Sequence, residues 1–383
     1  MGIKNLHTFL RKSFPNIYEP LHISEYAYCK IAIDVSLFLC KFKASNGPDW
    51  LTSFVELIDC LRSNEVHPVF VFDNTPPIEK TNERNRRVSQ REKSKTFVSE
   101  LEAAYDHFRQ TGEIKPVIRS FYASRDKNPS LSTSRRSTEG FINMDIVLGM
   151  IQKVRKQIIQ IDESDYAALR NLFAVLKIPY FLAPSEAETC CSDLCKREMV
   201  DAVLTEDTDV LAYAVPVFLF KLNIHDGTCM RLKYADLAAE SGMGESQLRD
   251  FMICCGCDYN KNIDLIGPSK SFQLIAKTGS IEGMQASGIN VDSLNHVRVR
   301  ELFTTYARID VEHVDFCSTD IDLDCANRFF AEKKIPTALV ERTIAHFTIN
   351  EHIIVKPRLS EPQNIVWVEN PLFLRSFSIS HSS

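Results

Sequence analysis

HPVFVFD, residues 67–73, is a short apolar run that stops at an aspartate. KIAID, residues 30–34, has the same form, and AVLTED, residues 202–207, repeats it with two acids at its end. Runs this short and this apolar, separated by helical patterns, predict parallel strands covered on both faces. Between the first two, Leu51, Phe54, Val55, Ile58 and Leu61 recur at helical spacing. Strand, helix, strand in that order predicts an α/β fold with a doubly wound, mostly parallel central sheet. The reactive crevice of such a sheet lies outside the carboxyl ends of its strands. Asp34, Asp73, Asp207 and Asp209 all fall at that end.

The chain has 383 residues, 44% hydrophobic and 25% charged. That is room for one large α/β domain or two smaller ones. No apolar run approaches the length of a membrane span, so no membrane partner is expected. MGIKNLHTFLRKSF lacks the long apolar core of a secretory signal. An intracellular protein is therefore expected, in the nucleus or at a cytoplasmic replication site. Leu6 stands where a myristoylation signal wants Ser or Thr. Among twelve cysteines, Cys254 and Cys257 form one CxxC with no second pair after it. Small buried thiols in a reducing compartment fit better than structural zinc.

A net charge of −5 argues at first against a nucleic-acid partner, but its distribution does not. Residues 79–100 hold seven basic and four acidic side chains. Lys115, Arg119, Arg125, Lys127, Arg135 and Arg136 have only Asp126 among them. A local basic surface is what binds phosphates, with a solvated polar face as the plainer alternative. Residues 79–110 have the pattern of a basic helix. Residues 122–140, rich in Ser and Arg, have that of a flexible insertion. A long helical pattern then runs through Leu148, Ile151, Val154, Ile158 and Ile161 to Leu176. Pro184-Ser185 predicts a helix start, with Glu186 and Glu188 in its first turn. Residues 246–256 predict a helix, Asp258 follows, and Gly267-Pro268 opens another through Phe272, Leu274 and Ile275. Helix, short loop, helix offers backbone amides to a phosphate, and Lys261, Lys270 and Lys277 accompany it.

Seven acids stand out: Asp34, Asp73, Glu186, Glu188, Asp207, Asp209 and Asp258. In an extended segment residues i and i+2 point to one side, so Asp207 and Asp209 are expected to face one point. Seven anions can share a site only if cations neutralise them. Hard oxygen ligands imply Mg²⁺, with Mn²⁺ as its substitute. Two such ions suit in-line phosphoryl displacement and remove the need for a side-chain nucleophile. Setting the seven aside leaves a mildly basic protein.

The motifs MGIKNL, AIDVS, VFVFDNTPP, APSEAE, LTEDTDVL and GCDYN, with IGPSK downstream, occur in this order over roughly residues 1–350. On them the chain resembles the flap endonuclease/xeroderma pigmentosum group G nuclease family. The resemblance implies a PIN-like nuclease core with a helical arch and a helix-two-turn-helix element. The expected divisions are then 1–110, an arch insertion at 111–145, 146–350 with the helix-two-turn-helix at 246–278, and a tail at 351–383. The resemblance also implies Mg²⁺-dependent hydrolysis of branched DNA beside a 5′ single-strand flap, by a monomer. Asp34, Asp73, Glu186 and Glu188 would serve one metal. Asp207 and Asp209 would serve the other, with Asp258 acting through water. Lys80 and Arg87 would steady the scissile phosphate. Gly2, Arg84, Arg91, Tyr259, Gly267, Ser269 and Lys270 would contact DNA.

The chain also departs from the family pattern. Cys40 stands where the family has a stacking aromatic, with Phe38 as a partial substitute. Leu265 replaces the first glycine of a loop in which Gly267 is kept. The span from Asp73 to Glu186 is long, and the loop after Asp34 is short. Gln363 leads to Val366 and Glu369, which is not a sliding-clamp peptide. A simplified or virus-encoded member fits these features. Two alternatives stand beside the nuclease reading. One is a non-catalytic branched-DNA scaffold; the other is a family enzyme preferring bubbles, four-way junctions or RNA.

Overall fold

The computed structural model describes residues 2–125, 142–156, 158–310 and 321–348. Its centre is a seven-stranded sheet. The strands are β1 (Glu19–His22), β2 (Lys30–Asp34), β3 (His67–Phe72), β4 (Tyr180–Leu182), β5 (Ala202–Leu204), β6 (Val217–Phe220) and β7 (Thr228–Lys233). Their order is β1-β7-β6-β5-β2-β3-β4. The five strands from β6 to β4 are mutually parallel, and β7 and β1 close one edge antiparallel. From β2 the chain winds outward through β3 to β4; β5 and β6 then lie on the opposite side of β2. The direction of winding thus reverses between β2 and β5, which is where an open α/β sheet places its crevice.

Both faces of β3 are buried because its residues alternate between two cores. Val69 and Val71 pack on one side with Ala32, Val203 and the helix α8 (Ala187–Lys196). Phe70 and Phe72 pack on the other with helices α3 (Trp50–Ser63) and α7 (Glu163–Val175). There the Phe70 and Phe173 rings stack 4.1 Å apart. Helix α2 (Val35–Asn46) starts directly on Asp34, whose carboxylate accepts from Leu37 N–H at 3.3 Å.

The basic stretch is a single helix, α4 (Thr81–Thr111). Only Val98, Leu101 and Ala104 of it are buried, so its first half carries its arginines over no core. The second half packs with α5 (Pro116–Arg125) and α6 (Met144–Lys156) around Ile118, Phe121, Val147, Ile151 and Val154. The expected flexible insertion at 122–140 is helical through Arg125, and from residue 126 it lies outside the described residues. The helical pattern from Leu148 to Leu176 is not one helix. Asp162 caps α7 by accepting from Ser164 and Asp165 N–H groups, and Asp165 answers the Asp162 N–H, a reciprocal cap that ends the earlier period.

The helix-loop-helix region forms as α11 (Glu245–Cys255) and α12 (Pro268–Thr278), followed by α13 (Ile281–Ala286) and α14 (His296–Thr304). Buried Asp250 of α11 accepts from Arg300 of α14 by two bonds of 2.6 Å and from Ile281 N–H at 3.1 Å. One carboxylate thus ties three helices. Helices α15 (Leu323–Glu332) and α16 (Thr337–Thr348) complete the described chain, and α16 packs on α3. Among the described residues no helix is long and apolar enough to cross a membrane. Cys254, Cys255 and Cys257 are free and buried, and the Cys254 thiol lies 3.8 Å from the Met284 sulfur.

Candidate active site

Asp34 ends β2, Asp73 follows β3, and Asp207 and Asp209 follow β5. These are neighbouring strands, so the three acidic motifs meet above the sheet. Asp73 reaches across to accept from Ala187 N–H at 2.7 Å. That bond seats the start of α8 and brings Glu186, its N-cap, and Glu188, in its first turn, to the same place. Asp258 arrives from the end of α11. The expectation of an extended segment through Asp207 and Asp209 is corrected. Asp209 opens a short helix, α9 (Asp209–Ala212), and its N–H donates to Asp207 Oδ1 at 3.0 Å. A tight turn, not strand alternation, puts the two together.

The electrostatics are those of crowded, desolvated anions. Burial, then the charges of Asp73 and Asp207, raises the Asp34 carboxyl well above the usual range. Burial, then Asp207 and Asp258, does the same to Asp209. Glu188 is raised first by burial, against the pull of Lys80. Glu186 and Asp207 are raised as well, both chiefly by burial. Asp209 is fully buried, and neither of its carboxylate oxygens has a hydrogen-bond partner. An unsatisfied buried carboxylate is costly, and a hard divalent cation is the ligand that would satisfy it. The residues present fit such ions. Even so, no three His, Cys, Asp or Glu among the described residues stand at ligand spacing. The Lys80 ammonium instead bridges Glu186, Glu188 (3.3 Å) and Asp258 (3.5 Å). Burial alone would lower the Lys80 pKa; Glu188 and Glu186 outweigh it and hold the lysine charged. Arg87 donates to Asp258 at 2.8 Å and to Glu83 at 2.8 Å. The two basic residues expected at a phosphate thus sit against the acids.

Several expected DNA contacts are placed differently. Tyr259 is 6% exposed, and its hydroxyl donates to Glu186, so it supports the acid cluster from within. Gly2 lies against the cluster: a Cβ there would come 2.2 Å from Asp207 Oδ1, and its φ of +82° suits glycine. The adjoining Ile3 N–H donates to Thr208 Oγ1 at 2.9 Å. Phe38 is 2% exposed and packed near Phe42, which removes it as a stacking surface. Cys40 is half-buried, its thiol raised by burial and then by Asp34. Arg84 and Arg91 are exposed on α4. Gly267 caps α12, and Ser269 and Lys270 are exposed in its first turn. Thr189, Tyr213 and Thr208 make contacts at the site that no sequence pattern signals. A tyrosine or threonine inside an apolar run looks like core.

Models of two regions of one family match the chain: the XPG N-terminal domain over residues 1–94 and the XPG I-region over residues 177–258. A probable RAD2-like endonuclease of Invertebrate iridescent virus 3 is 30% identical over 328 residues, covering 79% of this chain and 85% of the relative. The corresponding protein of Invertebrate iridescent virus 6 is 29% identical over 363 residues, with 87% and 84% covered. Flap endonuclease 1-2 of Paramecium tetraurelia is 27% identical over 301 residues, with 74% and 67% covered. Among solved structures, a catalytic core of Rad2 in complex with DNA substrate matches with a TM-score of 0.60 at 17% identity, covering 91% of this chain and 99% of that one. Flap endonuclease-1 from Methanococcus jannaschii matches with a TM-score of 0.57 at 16% identity, covering 87% and 96%. At these identities the two structures speak for the fold. The class is that of metal-dependent nucleases with a carboxylate-lined α/β crevice. The chain belongs to the XPG/RAD2-like endonuclease family.

Proposed function

We propose that the protein is a Mg²⁺-dependent, structure-specific 5′ nuclease that hydrolyses DNA phosphodiesters beside a single-strand/duplex junction. Its setting would be DNA replication, repair or recombination. The observation that carries this reading is buried Asp209, both oxygens unpartnered, inside a crevice of seven acids. Asp34, Asp73, Glu186 and Glu188 would hold one ion; Asp207 and Asp209 would hold the other, assisted by Asp258. Bound there, the ions would lower the pKa of an attacking water and neutralise charge on the phosphate. The chain's own residues do the rest. Lys80 and Arg87, at the base of α4, offer cationic donors to a phosphate that competes with the acids for them. Arg84 and Arg91 extend that charge along the helix. The amide end of α12, with Ser269 and Lys270, suits a duplex phosphate.

The reading further takes the chain as a monomer acting on 5′-flap DNA. The iridescent-virus relatives support a virus-encoded member. Labelled 5′-flap DNA should be cut near the junction with Mg²⁺. Asp207→Ala should abolish cutting while DNA binding persists, and cutting at the wild-type rate by that variant would reject the site. The same assay run on bubble, four-way-junction and RNA substrates fixes the preference. A scaffold without chemistry would bind and cut none of them.

A further inference from the structure

Glu186 is held from beneath by a chain of hydroxyls. The Tyr259 hydroxyl donates to Glu186 Oε2. Tyr213 Oη lies 3.2 Å from Tyr259 Oη, and Thr189 Oγ1 donates to Tyr213 Oη at 2.7 Å. All four residues are buried. Chemistry sets the direction of the chain. An ionised carboxylate only accepts, and each hydroxyl has one proton to give. With Tyr259 giving its proton to Glu186, the Tyr259 oxygen accepts from Tyr213, which in turn accepts from Thr189. Every donor therefore points toward the acid. The three hydroxyls come from separate elements: Thr189 from α8, Tyr213 from the end of α9, and Tyr259 from the turn after α11. Phe303 of α14 packs edge-on against both tyrosine rings, 4.9 Å from Tyr213 and 5.5 Å from Tyr259. With Oε2 engaged, Oε1 is the oxygen that reaches Lys80.

We infer that Thr189, Tyr213 and Tyr259 form a positioning relay that fixes Glu186 so that it presents a single oxygen, Oε1, to the divalent cation. The inference rests on the proposed reading of Glu186 as a metal ligand. Partners of this kind orient a ligand and set its affinity, and successive hydrogen bonds in a buried site reinforce one another. A chain of hydroxyls that merely satisfied one another would stabilise the fold and leave the affinity untouched.

The test is Mn²⁺ binding to the full chain by calorimetry, with thermal melting alongside. Tyr259→Phe, Tyr213→Phe and Thr189→Val keep the packed volumes and remove one link each. Tyr259→Phe should weaken Mn²⁺ binding about ten- to hundredfold. Tyr213→Phe should weaken it about three- to tenfold, as for loss of one neutral hydrogen bond. Thr189→Val should have the smallest effect. In a Glu186→Gln background none of the three should weaken binding further. Wild-type affinity in Tyr259→Phe, or equal losses with and without Glu186, overturns the relay alone. A wild-type chain that binds no Mn²⁺ overturns the metal-ligand reading as well. Should Tyr259→Phe fail to fold, Tyr213→Phe in the same cycle decides.

Discussion

Leu265 holds a left-handed backbone, φ +61°, with its side chain 99% exposed. A branched side chain in that region costs about 1–2 kcal/mol, and here no burial repays it. Glycine would relieve the strain but lose about 0.4–1 kcal/mol through the freer unfolded chain. Leu265→Gly should therefore stabilise the protein by about 0.5–1 kcal/mol, seen as a higher urea midpoint at unchanged m-value. A lower midpoint would show that the leucine makes a contact that the geometry does not reveal. Single residues also mark how far sequence reasoning reaches. The acids were legible because each ends an apolar run or opens a helix, where a charge needs a reason. The partners of Lys80 were not, because a lysine at the head of a basic helix gives no sign that it faces inward. The expectation that Tyr259 contacts DNA rests on the family resemblance alone, and the packing of Phe303 shows the ring to be inside.

Helix α4 illustrates the element scale. Its charge pattern announced a helix, and the boundaries agree within two residues. Its core with α5 and α6 is separate from the two cores that flank the sheet. Such a unit can open on its own. Leu101→Ala should remove about 2–5 kcal/mol from this small core. Hydrogen exchange should then quicken across α4, α5 and α6 while β2 and β3 keep their protection. Faster exchange in β3 would show that this three-helix unit and the sheet unfold as one. The sheet order itself was only partly legible. Apolar runs ending in acids predicted the central parallel strands, but the antiparallel edge was not foreseen. Strand β1 has only Leu21 buried, so it carries no apolar signature of its own.

For the whole molecule, pH is the informative variable. His67 is buried at the start of β3, and Arg62 contacts its Nδ1 at 2.8 Å. Burial first, and Arg62 second, lowers its pKa from 6.5 to about 3. His7 is lowered to about 4, chiefly by burial. Between these values and 6.5 the unfolded chain binds protons that the folded chain refuses. The contribution is thus complete above pH 6.5 and is lost as pH falls toward 3, with a slope of up to about 1.4 kcal/mol per pH unit for each histidine. The crowded acids act with the opposite sign, so the comparison of interest is wild type against His67→Phe. The difference in their urea midpoints should shift in favour of the variant between pH 7 and pH 5. A constant difference would mean that His67 titrates normally.

The amino-terminal segment is fastened to residues two hundred positions away. Ile3 N–H meets Thr208, Lys4 N–H meets the Gly256 carbonyl at 3.0 Å, and Glu19 pairs with Arg231 across β1 and β7. A ribosome makes these partners long after the segment itself. At about 5–20 residues per second, roughly 12–50 s separate the emergence of Gly2 from that of Asp258. For most of that interval the nascent chain lacks β7, the partner of β1, and throughout it lacks Asp258. On the proposed reading of Asp258, cutting would be withheld until translation has passed the whole of α11, and a chain terminated just before it would carry six of the seven acids without cutting.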